Sequence, residues 1–244
     1  MNRQLSNSDM VRQQHNLQSS TVNKQLLPLE NGDRLSRQKF EQRYLAAPHI
    51  KKAELIEGVV YVASPLRHEQ HGRPHSRIMT WLGVYQALTP GVDSSDAPTV
   101  RLDSDNEPQP DAVLLIEPNV GGQTRLSNDG YIEGAPELIA EIAASSAAYD
   151  LYDKKTAYRR NEVKEYIVWQ VLEQKLDWFI LRDGVYELLV ADDAGVIRSE
   201  VFPGLWLAVS ALLEGDMKQV IAVLQKGLDS SEHAAFVKQL QQPK

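Results

Sequence analysis

Asp111, Glu141 and Lys154 are the residues of this chain whose types could act together chemically. An aspartate, a glutamate and a lysine gathered beside a sheet can hold a hard dication, neutralise charge on a phosphate and help deprotonate a water. Those are the requirements for cutting a phosphodiester. Asp111 follows Pro110 in QPDAVLLIE, where an apolar run begins immediately after the acid, which reads as a buried strand with the acid at its mouth. Glu141 sits inside APELIAEIAAS, and an unpaired ionised carboxylate among such neighbours costs several kcal/mol. It therefore needs a proton, a cation or a metal. Taken singly, Asp111 reads as well as a turn residue and Glu141 as a solvent-facing edge residue. As a pair on neighbouring strands, with a lysine to follow, they read better as an oxygen-ligand site for Mg²⁺ or Mn²⁺.

The elements that must position these groups can be read from periodicity. The stretch SSAAYDLYDKKTAYRRNEVKEYIVW gives a loop, a helix starting near Tyr149 or Asp150, and a strand; Asp150, Lys154 and Tyr158 recur at intervals of four and share one helix face. Taken alone, that face would be solvated, with an Asp150/Lys154 pair worth a few tenths of a kcal/mol. Upstream, Ser36–Ala46 is an amphipathic helix, Ala53–Ile56 and Val59–Ala63 form a hairpin turning at Glu57–Gly58, and Pro74–Leu88 is a helix. Ile78, Trp81, Leu82 and Tyr85 make its core stripe. Further strands are expected near Val100 and over Ala112–Ile116, Leu138–Ile142, Tyr166–Val171 and Leu176–Leu181. Val185–Val190 and Ile197–Phe202 read as a hairpin across ADDAG, and Ala208–Leu224 as one helix ending near Gly227. Mixed strands with flanking helices predict an α/β (α+β) layer fold. Residues 1–30 are expected to be a flexible polar extension, 31–207 the main domain and 208–244 a helical appendage.

The order ELIEG, a Ser-Pro turn with His68, PD, an acid in an apolar strand, then D-x-x-x-K-x-x-x-Y and EY resembles the Uma-type restriction endonuclease family, within the PD-(D/E)XK nuclease superfamily. The likeness runs from about Glu54 to Pro203. It implies a restriction endonuclease-like fold, a mixed central sheet flanked by helices, and metal-dependent cleavage of DNA. In the parent superfamily a lysine stands two residues after the acid, where this chain has Ala143; the resemblance implies that Lys154, displaced onto the next helix, replaces it. It also implies that Asp111 and Glu141 ligate the metal, that the Ile142 carbonyl is a further ligand, and that Glu54 is the early acid completing the shell. His68 and Tyr158 are implied as auxiliary residues. Two departures from the family pattern matter: Ala144 and Ser145 stand where Ser-Pro is common, and Glu162 where glycine is frequent.

Read from the residues alone, Glu54 is equally an exposed strand glutamate and His68 a surface histidine. His68, His71 and His75 are spaced three and four apart and could share zinc on a continuous helix, but Pro74 interrupts it and HEQH falls one residue short of H-E-x-x-H. The absence of cysteine excludes disulfides, thiolate zinc sites and cysteine nucleophiles. There is no phosphate-binding G-x-x-x-x-G-K-[ST], no G-x-G-x-x-G and no G-x-S-x-G. With no membrane-spanning apolar run and no signal-peptide core, a cytoplasmic protein is expected. The net charge of −7 argues against broad non-specific DNA binding, countered by a local basic set of Lys154, Lys155, Arg159, Arg160 and Lys164, with Arg67, Arg73 and Arg77 before it. The leading expectation is a Mg²⁺- or Mn²⁺-dependent DNA endonuclease, in which pairing of two copies would allow both strands to be cut. The rival is a nuclease-fold DNA-binding or interaction module without turnover.

Overall fold

The computed structural model describes residues 26–144 and 149–242; most of the expected N-terminal extension and the loop at 145–148 lie outside them. Its centre is a six-stranded sheet in the order β11-β10-β9-β8-β5-β3. The strands are β3 (Val92–Asp96), β5 (Ala112–Ile116), β8 (Leu138–Ala143), β9 (Glu165–Gln170), β10 (Lys175–Arg182) and β11 (Val185–Leu188). Only β8 and β9 pair in parallel; the other neighbours are antiparallel. A parallel pair requires a crossover. Here it carries a π-helical turn, Asp150–Lys154, running into a helix at Lys155–Arg160. Lys154 is thus held beside the sheet by the connection that the topology demands.

Both sheet faces are covered, which is why β5, β8 and β9 are almost unbroken apolar runs. On one face Ala112, Leu114, Ala140, Ile142, Ile167 and Trp169 pack against the helix at Arg73–Ala87 through Ile78, Trp81, Leu82 and Tyr85, the stripe expected from sequence. The same core takes Leu212, Leu224 and Phe236 from three short C-terminal helices at Val209–Glu214, Met217–Leu228 and Ser231–Leu240. On the other face Val113, Ile139, Ala143 and Val168 pack with Tyr158, Tyr166 and Phe179. A third cluster joins Leu29, Phe40, Ala53, Leu55 and Val60, from the helix Arg37–Leu45 and the hairpin β1 (Ala53–Ile56) and β2 (Val59–Val62). That hairpin turns at Glu57 and Gly58, both left-handed, and is tied on by paired backbone hydrogen bonds between Leu55 and Glu107.

Three expectations are corrected. Val185–Leu188 pairs with β10, across Asp183–Gly184, whose φ values of 48° and 76° make the two-residue hairpin turn. Val196–Arg198 pairs instead with Trp206–Ala208. The single helix over Ala208–Leu224 is two, because Gly215 is left-handed (φ 86°) and Asp216 caps a fresh start by accepting from the Gln219 N–H. The strand Val92–Asp96 and the small sheet of β4 (Val100–Arg101), β7 (Ile132–Glu133) and β6 (Arg125–Leu126) were not foreseen beyond Val100; they are short and polar, with little periodicity to read.

Candidate active site

Strand pairing brings the two acids together. β5 and β8 run antiparallel with Ala112 opposite Ala140, so the same register sets Asp111 opposite Glu141, both toward the Tyr158 face of the sheet. Asp111 Oδ2 accepts the N–H of Ile142 at 2.8 Å, fastening the mouth of β5 to the strand that carries Glu141. On Glu141, Oε1 accepts from both Lys154 Nζ (2.9 Å) and the Tyr158 hydroxyl (2.7 Å). Lys154 and Glu141 are each 3% exposed. Lys154 also meets Glu54 Oε1 at 2.9 Å and Asp150 Oδ1 at 3.8 Å. Glu54 is positioned by the β1–β2 hairpin and fixed by accepting the Gln109 N–H at 2.8 Å. Glu54, Asp111, Glu141, Asp150 and Lys154 line a cleft of about 490 Å³ together with Tyr61, Pro65, Arg67 and Tyr149.

A model of the Uma2 family, described as "Putative restriction endonuclease", matches residues 37–210. The chain belongs to the Uma2 family. The crystal structure of a putative nuclease belonging to DUF820, from Anabaena variabilis ATCC 29413, superposes with a TM-score of 0.50 at 12% identity, covering 75% of this chain and 97% of that one; the likeness is one of fold. No curated protein matches the chain. Among the described residues no helix is long and apolar enough to cross a membrane.

Around this Uma2 site the structure adds two residues that sequence reasoning did not place there. His71 Nε2 lies 3.3 Å from Asp111 Oδ1, and Lys52 Nζ lies 3.7 Å from the same oxygen. His71 comes from a π-helical turn at His68–Gly72, so both π-helical turns among the described residues deliver a side chain to the cleft, a common use of that irregularity. The expected auxiliary histidine, His68, is exposed at the start of that turn and is not among the cleft residues. His75 points its Nε2 at the Asp111 carbonyl oxygen (2.7 Å). His71 and His75 thus both meet Asp111, with ring centroids 5.6 Å apart, while His68 stays apart from them, and among the described residues no three His, Asp or Glu side chains are grouped to hold one ion. The basic set is dispersed as well. Lys154 is buried, Lys155 caps the Phe179 ring at 3.4 Å, Arg159 donates to the Gly184 carbonyl and Arg160 pairs with Glu57. Arg73 pairs with Glu69 and Arg77 donates to the Leu212 carbonyl.

The electrostatics follow from burial and company. Burial pushes Glu141 up to about 8, against the opposing pull of Lys154. Burial alone would lower Lys154, but Glu141, Glu54 and Asp150 together hold it charged, well above its ordinary value. Burial would likewise raise Asp111; the hydrogen bond from His71 and the charge of Lys52 outweigh it and hold the carboxyl at about 2. His71 is raised in turn, chiefly by that hydrogen bond.

This arrangement fits a hard dication. Four carboxylates, Glu54, Asp111, Glu141 and Asp150, meet Lys52, Lys154 and His71, and burial first, with the surplus negative charge adding to it, drives Glu141 toward its neutral form. A divalent cation would remove that surplus. All the donors are oxygens, the ligand type that Mg²⁺ and Mn²⁺ prefer, and Mg²⁺ commonly takes only one or two carboxylates and completes its shell with water and phosphate.

Proposed function

We propose that this protein is a metal-dependent DNA endonuclease and that Asp111, Glu141 and Lys154 are its working residues. The observation that supports this most is the convergence on one cleft of two acids set opposite each other by strand register and a buried lysine bonded to one of them. Asp111 and Glu141, with the Ile142 carbonyl, would hold Mg²⁺ or Mn²⁺. A bound dication supplies Lewis-acid polarisation of the phosphate and a water of lowered pKa. The residues of the chain do the rest. Lys154 keeps a fixed positive charge at the floor of the cleft, where negative charge builds up on a phosphate under attack. Tyr158 and Lys154 orient Glu141 by bonding one of its oxygens, which leaves the other oxygen for a ligand. His71 and Lys52 hold Asp111 ionised and fixed in place.

A second reading, a nuclease-fold module that binds without turnover, is favoured by one observation: Lys154 is already enclosed by three carboxylates, and the other basic side chains are mostly spent on contacts within the chain. One experiment separates the readings. Single-stranded, linear and supercoiled DNA are incubated with the pure protein in Mg²⁺, Mn²⁺ or EDTA, beside Asp111→Asn and Asp111→Ala. Cleavage that needs metal and is lost in both folded variants supports the nuclease. DNA that is bound in every metal condition and never cut supports the module.

A further inference from the structure

One stretch of chain, residues 63–70, contributes Ala63, Ser64, Pro65, Leu66, Arg67 and Gln70 to the lining of the cleft that holds Asp111, Glu141 and Lys154. The segment is anchored by backbone bonds near both ends. The Ala63 N–H donates to the Lys52 carbonyl at 3.0 Å, and the Arg67 carbonyl accepts from the N–H groups of His71 (2.9 Å) and Gly72 (3.2 Å). The backbone of Arg67 is thus fastened to the same π-helical turn that brings His71 to Asp111. Its side chain is not held. Arg67 is exposed to solvent, and among the described residues its guanidinium forms no ion pair and no hydrogen bond. The other basic groups of the lining are matched: Lys154 meets Glu141 and Glu54, while Lys52 and His71 both meet Asp111. Set against four carboxylates, these matched groups offer little to draw in a polyanion. A phosphate chain entering the cleft needs a cation that is both accessible and not already neutralised, and Arg67 is the lining residue that meets both conditions among those described. Its guanidinium also suits the task, being permanently charged and forked to match two phosphate oxygens at once.

We infer that Arg67 is a substrate-binding residue that holds a backbone phosphate of the DNA strand flanking the phosphodiester attacked over Asp111 and Glu141. The inference rests on the nuclease reading and divides the work of the cleft between two cations. Lys154, only 3% exposed, keeps its charge for the phosphate under attack. Arg67, in solvent, captures the strand and sets its register before the chemistry begins, a contact that positions without reading the bases. Its contribution therefore falls on binding and leaves turnover of bound DNA alone.

The test compares Arg67→Ala and Arg67→Lys with Arg125→Ala in the full chain. Arg125 pairs with Glu133 and is not among the cleft residues, so its loss removes the same charge elsewhere. Affinity for labelled oligonucleotides of unrelated sequence is measured by anisotropy with Ca²⁺ over a series of salt concentrations, kcat and KM with Mg²⁺ or Mn²⁺, and the melting temperature without DNA. Arg67→Ala should weaken binding roughly ten-fold for every sequence, the range for one charge-assisted contact, and lower the salt slope by about one. The loss should appear in KM, with kcat on saturating DNA close to wild type. Arg67→Lys should recover the salt slope, and Arg125→Ala should bind like wild type. The melting temperature should not move, because the guanidinium has no partner to lose in the free protein. Binding by Arg67→Ala equal to that of wild type or of Arg125→Ala overturns the inference and leaves the nuclease standing. A loss confined to kcat, or one that tracks a fall in melting temperature, also overturns it. A wild type that binds without cutting removes the nuclease reading, and the affinities and salt slopes alone then decide Arg67; one that neither binds nor cuts removes both.

Discussion

Asp111 reaches across the sheet to the backbone of Ile142, accepting its N–H at 2.8 Å, so the two acids of the site are held together by a bond that involves neither acid's partner of opposite charge. One carboxylate oxygen of Asp111 is spent on this backbone bond; the other meets His71 and Lys52. Glu141 differs: Lys154 and Tyr158 both meet its Oε1. Each acid is thereby oriented by donors from other elements, Asp111 through both oxygens and Glu141 through one.

Lys154 and its neighbour Lys155 offer the sharpest contrast in the chain. Lys154→Ala would leave Glu141, Glu54 and Asp150 facing one another without their buried cation, a loss of about 3–5 kcal/mol, and should abolish cleavage. Lys155→Ala removes a half-exposed contact with Phe179, expected to cost no more than about 1 kcal/mol, and should leave cleavage nearly intact. Thermal melts and cleavage rates for both variants decide this; equal losses would remove Lys154 from its special place.

His71 and His68 divide the same way. His71→Asn takes away the hydrogen bond and charge that help keep Asp111 ionised; with Asp111 in its proposed role as a metal ligand, the cleavage rate should fall by roughly 10- to 100-fold. His68→Asn touches an exposed side chain and should change the rate little. A larger effect at His68 would restore the residue implied by the family resemblance and count against the geometry.

The parts of the site that were legible in the sequence are those set by local pattern. Glu141 among alanines and isoleucines had to be buried and partnered, and the four-residue spacing of Asp150, Lys154 and Tyr158 put them on one face; the structure brings Lys154 and Tyr158 to one oxygen of Glu141. Lys52 and His71 were not assigned to Asp111 because they reach it from a loop and a helical turn far off in sequence. No periodicity encodes such an approach. The misread hairpin has a local cause: ADDAG carries turn residues, but the two-residue Asp183–Gly184 turn was already present between β10 and β11 and is the stronger signal.

Glu162 stands where the family resemblance expects a glycine, and its backbone conformation suits one. It follows the helix Lys155–Arg160 with φ 65°, the left-handed conformation that commonly ends a helix and that side chains with a Cβ disfavour by about 1–2 kcal/mol. Glu162→Gly is expected to raise stability by up to ~1 kcal/mol, the strain relief being partly offset by the greater freedom of glycine in the unfolded chain. The readout is the urea midpoint at constant slope. A clear fall would mean that the Glu162 side chain contributes more than its backbone costs.

Glu141 should also make stability depend on pH and on metal together. Its folded value of about 8 lies above the roughly 4.3 of an unfolded glutamate. The stability linked to this proton is therefore fully present below about pH 4 and is lost as pH rises through about 8. In EDTA the melting temperature of the wild type should fall from pH 6 to pH 9 more steeply than that of Glu141→Gln, which has no proton to lose at this position; comparing the two removes the contributions of other groups, such as Glu107, also raised to about 8 chiefly by burial. Mg²⁺ or Mn²⁺ should then raise the wild-type melting temperature most at the alkaline end, where Glu141 is ionised and in need of a cation, and should do little for Glu141→Gln. Parallel pH profiles for the two proteins, or a metal effect that survives the substitution, would show that Glu141 is neither the titrating group nor a ligand.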